Sequence, residues 1–233
     1  ICKDWVSAVY KNHSDINQII HIPDHELQSL TGTIKTGLRL RSLRIDLFYT
    51  LTDSFRSALI LRLSGAKNRY GYDTQMRTFL LTNHKLATPK KVHRSKKYLG
   101  LLSSVSIKME YPKLRLTNSE KRWAEKEMKK IGFHRPIAIS PFSVMENRTL
   151  PNLYLKKWIN ESKNEYLVFG SKKDINKGDA FIRICENNII KSICGDYTLR
   201  ETILLMSVCD FTIATDSGLG HISATLGLPT ISF

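Results

Sequence analysis

The densest run of residues able to do chemistry is Thr215-Asp216-Ser217-Gly218-Leu219-Gly220-His221, which stands between the apolar run 211–214 and a helical pattern. Such a run reads as a strand giving way to a helix. Ser217 or Asp216 can cap that helix, and the two glycines let a ligand approach the backbone. Free N–H groups and the positive end of the helix dipole favour a diphosphate there. An ordinary turn, with Asp-Ser as nothing more than a cap and His221 lying along the helix, fits the same residues.

Three further loops follow apolar runs in the same way. In 140–151 (SPFSVMENRTLP), Arg148 could neutralise a departing diphosphate without a metal, because a guanidinium holds phosphate oxygens two at a time. An exposed arginine is the alternative. In 169–174 (FGSKKD), the glycine permits close approach and Asp174 could accept from a ribose hydroxyl, or could serve as a helix cap. In 50–57 (TLTDSFRS), Arg56 is a candidate anion contact, while Asp53 or Ser54 as a plain N-cap explains the segment equally well. The sequence carries no HExxH, GxSxG or GxxxxGK[ST] and no paired His/Cys spacing of a metal site, which argues against metalloproteases, serine hydrolases and P-loop NTPases.

The elements that must hold these loops are read from periodicity. In the first half we expect a strand over 17–22, a helix over 24–40, a buried strand over 43–51 and a helix over 54–64 stopped by Gly65. A strand and turn over 68–72 and a basic helix over 90–102 follow. The charged stretch 111–135 reads as a boundary: a proline turn, then a helix capped by Asn118 or Ser119 and closed at Gly132. Strands over 137–140, 166–169, 189–193, 211–214 and 229–233 then alternate with helices over 153–162, 175–186, 199–208 and 218–226. That alternation predicts a Rossmann-like parallel sheet with ligands at the carboxyl ends of its strands. The expected domains are 1–116 and 136–233, joined by a linker helix over 117–135.

The 233 residues carry 36 Lys/Arg against 21 Asp/Glu. The excess is uneven: residues 1–116 hold 20 basic against 8 acidic side chains, and the rest 16 against 13. A basic first half attracts polyanions, whether nucleic acid, an anionic membrane face or a phosphorylated glycolipid. No RNP, helix-turn-helix or zinc-finger pattern appears and the aromatics do not interleave with the cations, which disfavours nucleic acid. No stretch reaches the roughly 20 apolar residues of a membrane span and the first residues do not resemble a signal peptide, so a cytoplasmic protein is expected. The four cysteines form no CxxC pair and read as reduced thiols. Both ends read as cut, Ile1 lacking a methionine before it and Phe233 ending inside a strand.

Taken together, 45–82 (IDLFYTLTDSFRSALILRLSGAKNRYGYDTQMRTFLLT), the loop before 150–152, VFGSKKD at 168–174 and TDSGLGHISATLGLPTISF at 215–233 resemble glycosyltransferase family 9 along nearly the whole chain. The last segment matches the family pattern D-[ST]-G-x-x-H-x-x-A-x-x-G-x-P at every fixed position, and TDSFRSAL followed by GAKNRYGY is most similar to the heptosyltransferase II branch. The resemblance implies an α/β protein of GT-B fold, two Rossmann-like domains with parallel sheets, truncated here at both ends. It implies an inverting transferase without metal or other cofactor, moving heptose from ADP-heptose to the inner core of lipopolysaccharide. Runner-up readings are a relative using another nucleotide sugar and a catalytically inactive basic binding protein. By the same resemblance Thr215, Asp216, Ser217, Gly218 and His221 would surround the donor's diphosphate and sugar. Asp174 would lie near its ribose, and Arg148 near the place where the family often has lysine. Asp53, Ser54 and Arg56 would face the acceptor. The family's presumed general base belongs to a strand and loop expected before Ile1. The implied partners are the nucleotide-sugar donor, an anionic glycolipid acceptor and the inner face of the cytoplasmic membrane, reached by electrostatic attraction.

Overall fold

The structure, a computed structural model, describes residues 1–87, 92–102, 111–143, 149–185 and 189–233. Its contacts divide the chain into two compact units. The first comprises Ile1–Asp4 and Ile19–Glu110, the second Trp5–Gln18 and Tyr111–Phe233. The passage from the first unit to the second falls between residues 110 and 111, so 111–116, expected in the first domain, join the second, and two further assignments change. Residues 5–18 leave the first unit for the second, and the helix expected as a linker packs within the second unit.

The second unit is built on five parallel strands: β6 (Ile137–Ser140), β7 (Tyr166–Val168), β8 (Ile190–Ser192), β9 (Thr212–Ala214) and β10 (Thr230–Ser232). They stand in the order β10-β9-β6-β7-β8. Side chains alternate across the sheet with the two-residue period of a strand. Ile137, Ile139, Tyr166, Val168 and Ile213 enter one core with Leu155 and Ile159 of α7 (Asn152–Glu161) and Phe181 of α8 (Ile175–Ile184). Ala138 and Leu167 enter the opposite core with Met128 of α6 (Asn118–Ile131), Leu205 of α9 (Leu199–Met206) and Ile222 of α10 (Gly218–Leu226). Helices therefore cover both faces. Each fully buried Ile, Leu or Phe contributes about 1.5–3 kcal/mol of transfer free energy, which makes this continuous two-sided core the main fixture of the strand ends.

The structure corrects the N-cap of α6. Thr117, in extended backbone at φ −78° and ψ 160°, caps the helix, and a reciprocal box forms with Glu120, whose carboxylate accepts from the Thr117 N–H at 2.9 Å. Capping from Asn118 or Ser119 would move Glu120 off the third helical position and lose that second bond. Gly132 closes the helix in the left-handed region, φ 91°.

The first unit carries a two-stranded parallel pair, β1 (Cys2–Lys3) with β2 (His21–Ile22), and a three-stranded parallel sheet in the order β3 (Leu47–Tyr49), β4 (Asn68–Asp73), β5 (Asn83–Leu86). Phe48 points toward a small core of Ala58, Leu61, Leu80 and Leu81 under α4 (Phe55–Leu63). The helix expected over 24–40 is broken in two, α2 (Asp24–Gln28) and α3 (Leu30–Leu40). Ser29 is extended between them and its hydroxyl accepts from Gly32 N–H at 3.0 Å, so a cap replaces one helical turn. The strand expected from residue 43 begins only at Leu47, because 41–43 form a 3-10 turn and Arg44 reverses the chain at φ 48°. All four cysteines are free thiols, Cys185, Cys194 and Cys209 buried and Cys2 partly so.

Candidate active site

In the second unit the strand order places β6 between β7 and β9, so the chain winds away from β6 in both directions. Open parallel sheets bind ligands in the crevice at that switch point, beyond the carboxyl ends of the strands. The loops after β6 and β9 meet there. Thr215, fully buried, donates its N–H to Ser140 O at 3.1 Å and its hydroxyl to Phe142 O at 3.4 Å. Asp216 N–H donates to Phe233 O at 3.0 Å, which fastens the loop to the strand on its other side.

Ser217 stands at the cap position of α10 in extended backbone, φ −141° and ψ 170°, yet its side chain makes no capping bond. Its Oγ is buried and has no partner among the described residues. The purely capping account of this serine therefore fails, and among the described residues the N–H groups at the start of α10 have no side-chain acceptor. An unsatisfied buried hydroxyl costs about 1–3 kcal/mol unless something accepts from it or donates to it. Among the described residues nothing lies within 4 Å of a Cβ built on Gly218, which opens space in front of that helix end. Gly220 does the opposite: a Cβ there would stand 3.0 Å from Thr215 O and 3.2 Å from the Ala214 Cβ, so its absence lets α10 sit close on the end of β9. His221 Nε2 lies 3.5 Å from Asp216 Oδ1, and both side chains are largely exposed.

The loop after β6 is closed by Leu150 N–H donating to Pro141 O at 3.0 Å. Thr149 Oγ1 in it is a second buried oxygen without a partner among the described residues. The sequence offered no signal for Thr149 beyond its place in a strand-end loop. Arg148 lies outside the described residues. Asp174 sits two strands from the β9 loop, about 10 Å across the sheet. One of its oxygens is taken: Oδ2 accepts from Ser171 N–H at 2.9 Å and from Ser171 Oγ at 2.6 Å, the capping role weighed for it above. Gly170 beside it is required, since a Cβ would stand 2.7 Å from Cys194 Sγ.

The acceptor-side candidates belong to the first unit, around a feature that spacing alone did not show. Arg77 is wholly buried and donates from Nε to Tyr72 O at 3.0 Å, and from Nη1 to Thr52 O at 2.6 Å and Ser54 O at 3.0 Å. It thereby holds the 52–57 loop by its carbonyls. Asp53 Oδ2 accepts from Lys97 Nζ at 2.5 Å, and its Oδ1 lies 3.9 Å from Arg77 Nη2, an ion pair too long for a hydrogen bond. Ser54 caps α4, its hydroxyl accepting from Ser57 N–H at 3.2 Å. Arg56 Nη1 is engaged by the carbonyls of Leu27 at 3.1 Å and Gln28 at 2.8 Å, so this nitrogen anchors α2. Among the described residues no three His, Cys, Asp or Glu side chains converge as metal ligands. A cavity of about 360 Å³ beside Lys129, His134 and Arg135 lies at the amino ends of the strands, away from these loops.

The sequence profile of glycosyltransferase family 9 (heptosyltransferase) matches residues 33–233. The chain belongs to glycosyltransferase family 9. Lipopolysaccharide heptosyltransferase 2 of Escherichia coli K12 is 26% identical over 251 residues, covering 98% of this chain and 71% of that protein. A structure of E. coli ADP-heptose lipopolysaccharide heptosyltransferase II matches 99% of this chain and 73% of its own, with a TM-score of 0.80 at 22% identity. A family 9 glycosyltransferase from Veillonella parvula matches 99% of this chain and 69% of its own, with a TM-score of 0.86 at 15% identity. An E. coli heptosyltransferase solved with ADP matches 99% and 74%, with a TM-score of 0.69 at 13% identity. The structural likenesses establish the fold: family 9 enzymes have the GT-B fold, and parallel α/β sheets are what both units show. Membership makes the chain a glycosyltransferase of the heptosyltransferase family, whose role is heptose transfer in lipopolysaccharide synthesis.

Proposed function

We propose that this family 9 chain transfers heptose from ADP-heptose to the inner core of lipopolysaccharide, with inversion at the anomeric carbon and without a metal. The observation that carries the reading is the start of α10. A cap serine with an unpartnered hydroxyl, open space over Gly218 and free N–H groups stand together at the switch point of the sheet. That arrangement suits an anion, and a relative solved with ADP supports the choice of nucleotide.

In this reading the acceptor hydroxyl attacks the anomeric carbon, its proton passes to a base, and the carbon–oxygen bond to the diphosphate breaks with its electrons leaving on ADP. Charge grows on the departing diphosphate. Ser217 Oγ and the α10 N–H groups stabilise it, Arg148 is the proposed cation, and His221 beside Asp216 is proposed to contact the diphosphate or sugar. Asp174 keeps Oδ1 for a ribose hydroxyl. Asp53, Ser54 and Arg56 are proposed for the acceptor, with Lys97 and Arg77 positioning Asp53. The acceptor is an anionic glycolipid, to which the basic first half is suited, and the site of action is the cytoplasmic face of the inner membrane. Among the described residues no helix is long and apolar enough to cross a membrane.

Calorimetric titration of ADP, UDP and GDP into the full-length protein in EDTA, with Ser217→Ala and Asp216→Ala beside it, tests the reading. ADP alone should bind; Ser217→Ala should weaken it about tenfold, the range for losing a hydrogen bond to a charged group, and Asp216→Ala should weaken it by releasing His221 from its partner at 3.5 Å. Preference for UDP or GDP would keep the site and replace the donor. An absolute need for Mg²⁺ would remove the metal-free mechanism.

A further inference from the structure

The outward half of α3 is itself two-sided. Its inward half is fixed by close backbone approaches: a Cβ on Gly37 would stand 2.6 Å from the Leu63 Cβ of α4, and one on Gly32 would stand 2.3 Å from Glu26 O of α2. Thr33, Thr36, Gly37 and Leu40 are therefore the buried set. Facing out, Leu30, Ile34 and Leu38 recur every four residues and form one ridge, with 56%, 38% and 48% of their surface exposed. Leu43, 44% exposed, follows in the turn after the helix. Beside that ridge runs a second one of Lys35 and Arg39, continued by Arg41 and Arg44.

No carboxylate stands on the exposed positions of α3. Glu26, the nearest acid, is 12% exposed at its side chain and already engaged, accepting from Thr36 Oγ1 at 2.7 Å and paired with Arg39 at 3.4 Å. Arg41 and Arg44 take no ion pair among the described residues. Beyond them, burial pushes the Arg69 pKa down and the neighbouring Arg62 adds to it. Glu26 offsets part of the charge of Arg39 and Lys35, and among the described residues Arg41 and Arg44 keep theirs unpaired at this end of the unit.

We propose that the outer face of α3, from Leu30 to Arg44, lies in the interface of an anionic bilayer. The leucine and isoleucine ridge would enter the acyl boundary while Lys35, Arg39, Arg41 and Arg44 meet lipid phosphates. This deepens the proposed attraction of the basic first half to a membrane, and rests on that reading. A row of exposed aliphatic side chains flanked by cations is the composition of a helix lying in a membrane surface. Nucleic acid would engage the cations and leave the aliphatic ridge in water, and an acidic protein surface would do the same. An anionic lipid surface satisfies both ridges at once.

The test uses the full-length protein and extruded vesicles, either pure phosphatidylcholine or with one-third phosphatidylglycerol, read by co-sedimentation. Three proteins are compared: wild type, Leu30→Ser/Ile34→Ser/Leu38→Ser, and Lys35→Gln/Arg41→Gln/Arg44→Gln. ADP binding in solution is measured on each as a check of folding. We expect wild type to bind the anionic vesicles and not the neutral ones. The aliphatic triple should lower that partition about tenfold or more, leaving a weaker and more salt-sensitive residue, and the cationic triple should lower it likewise. Full binding by the aliphatic triple would overturn this inference and leave the electrostatic reading standing. Absence of binding by wild type would end both. Loss of a dimer on sedimentation of the aliphatic triple, with vesicle binding kept, would make α3 a self-association face and overturn the inference as well.

Discussion

Gly218 and Gly220 stand two residues apart at the start of α10, and the structure treats them differently. An added methyl at position 218 meets none of the described residues within 4 Å, whereas at position 220 it presses on Thr215 O and on Ala214 at the end of a central strand. Gly218→Ala should leave stability unchanged or raise it by up to about 1 kcal/mol, since alanine is the better helix former. The same change should cost about tenfold in ADP affinity, because the space it fills is where the diphosphate is proposed to lie. Gly220→Ala gains the same helix propensity, but crowding of order 1–3 kcal/mol against backbone that cannot retreat outweighs it. It should lower thermal stability and ADP affinity together. Thermal melts and calorimetry on both variants separate the cases, and unchanged ADP affinity in Gly218→Ala would take the diphosphate away from α10. The sequence showed this loop and its glycines, but not which glycine was structural. It also left open whether Ser217 caps, and only the direction of its Oγ decides that. Arg56 was legible as a cation beside a strand end, not as the anchor of two carbonyls 28 and 29 residues earlier.

At the scale of elements, one ion pair gathers three parts of the second unit. Arg200 of α9 donates from Nε and Nη2 to the two oxygens of Glu120 at 2.9 and 2.8 Å, and also reaches Arg115 O at 2.8 Å and Ala8 O at 3.2 Å. Glu120 further accepts from Asn12 Nδ2 at 2.9 Å. The segment 5–18 is thereby tied to the second unit, the assignment that periodicity missed. The hydrogen bond from Arg200, with others from Thr117, holds the Glu120 carboxyl down at about 2. A folded-state value below the ordinary one near 4.5 means that the pair's stabilisation is complete above that pH and is lost as pH falls through about 2. Over that window it is worth on the order of 2–3 kcal/mol. Urea unfolding of wild type and Glu120→Gln between pH 6 and 2.5 should show the wild type losing more stability, the two curves converging in acid. Parallel curves would mean the pair is not formed in solution. Elements such as β6 and α10 were legible because Gly or Pro stands at their borders and their apolar runs are complete. The strands β1 and β5 were not: two and four residues long, the latter reading Asn-His-Lys-Leu, they carry no alternation to detect.

The whole molecule places all three tryptophans in its second unit: Trp5, Trp123 and Trp158. Trp123 meets Tyr197 edge-on at 6.4 Å between centroids and Trp158 meets Tyr166 at 5.2 Å, so emission from both reports the packing of that unit. Far-UV circular dichroism reports both units. Their cores are unequal, since the second has five strands with apolar layers on both faces, while the first holds a two-stranded pair, a three-stranded sheet and a core centred on Ala58, Leu61, Leu80 and Leu81. Small sheets of two or three strands are marginal unless helices cover them. In urea, the circular dichroism of this chain should therefore begin to fall before the tryptophan emission shifts, giving transitions that do not coincide. ADP at a hundredfold excess over its Kd should raise the stability of the later transition by about 2.7 kcal/mol and leave the earlier one in place. Coincident transitions, both moved by ADP, would show instead that the units unfold as one cooperative body and that nucleotide on the second is felt by the first.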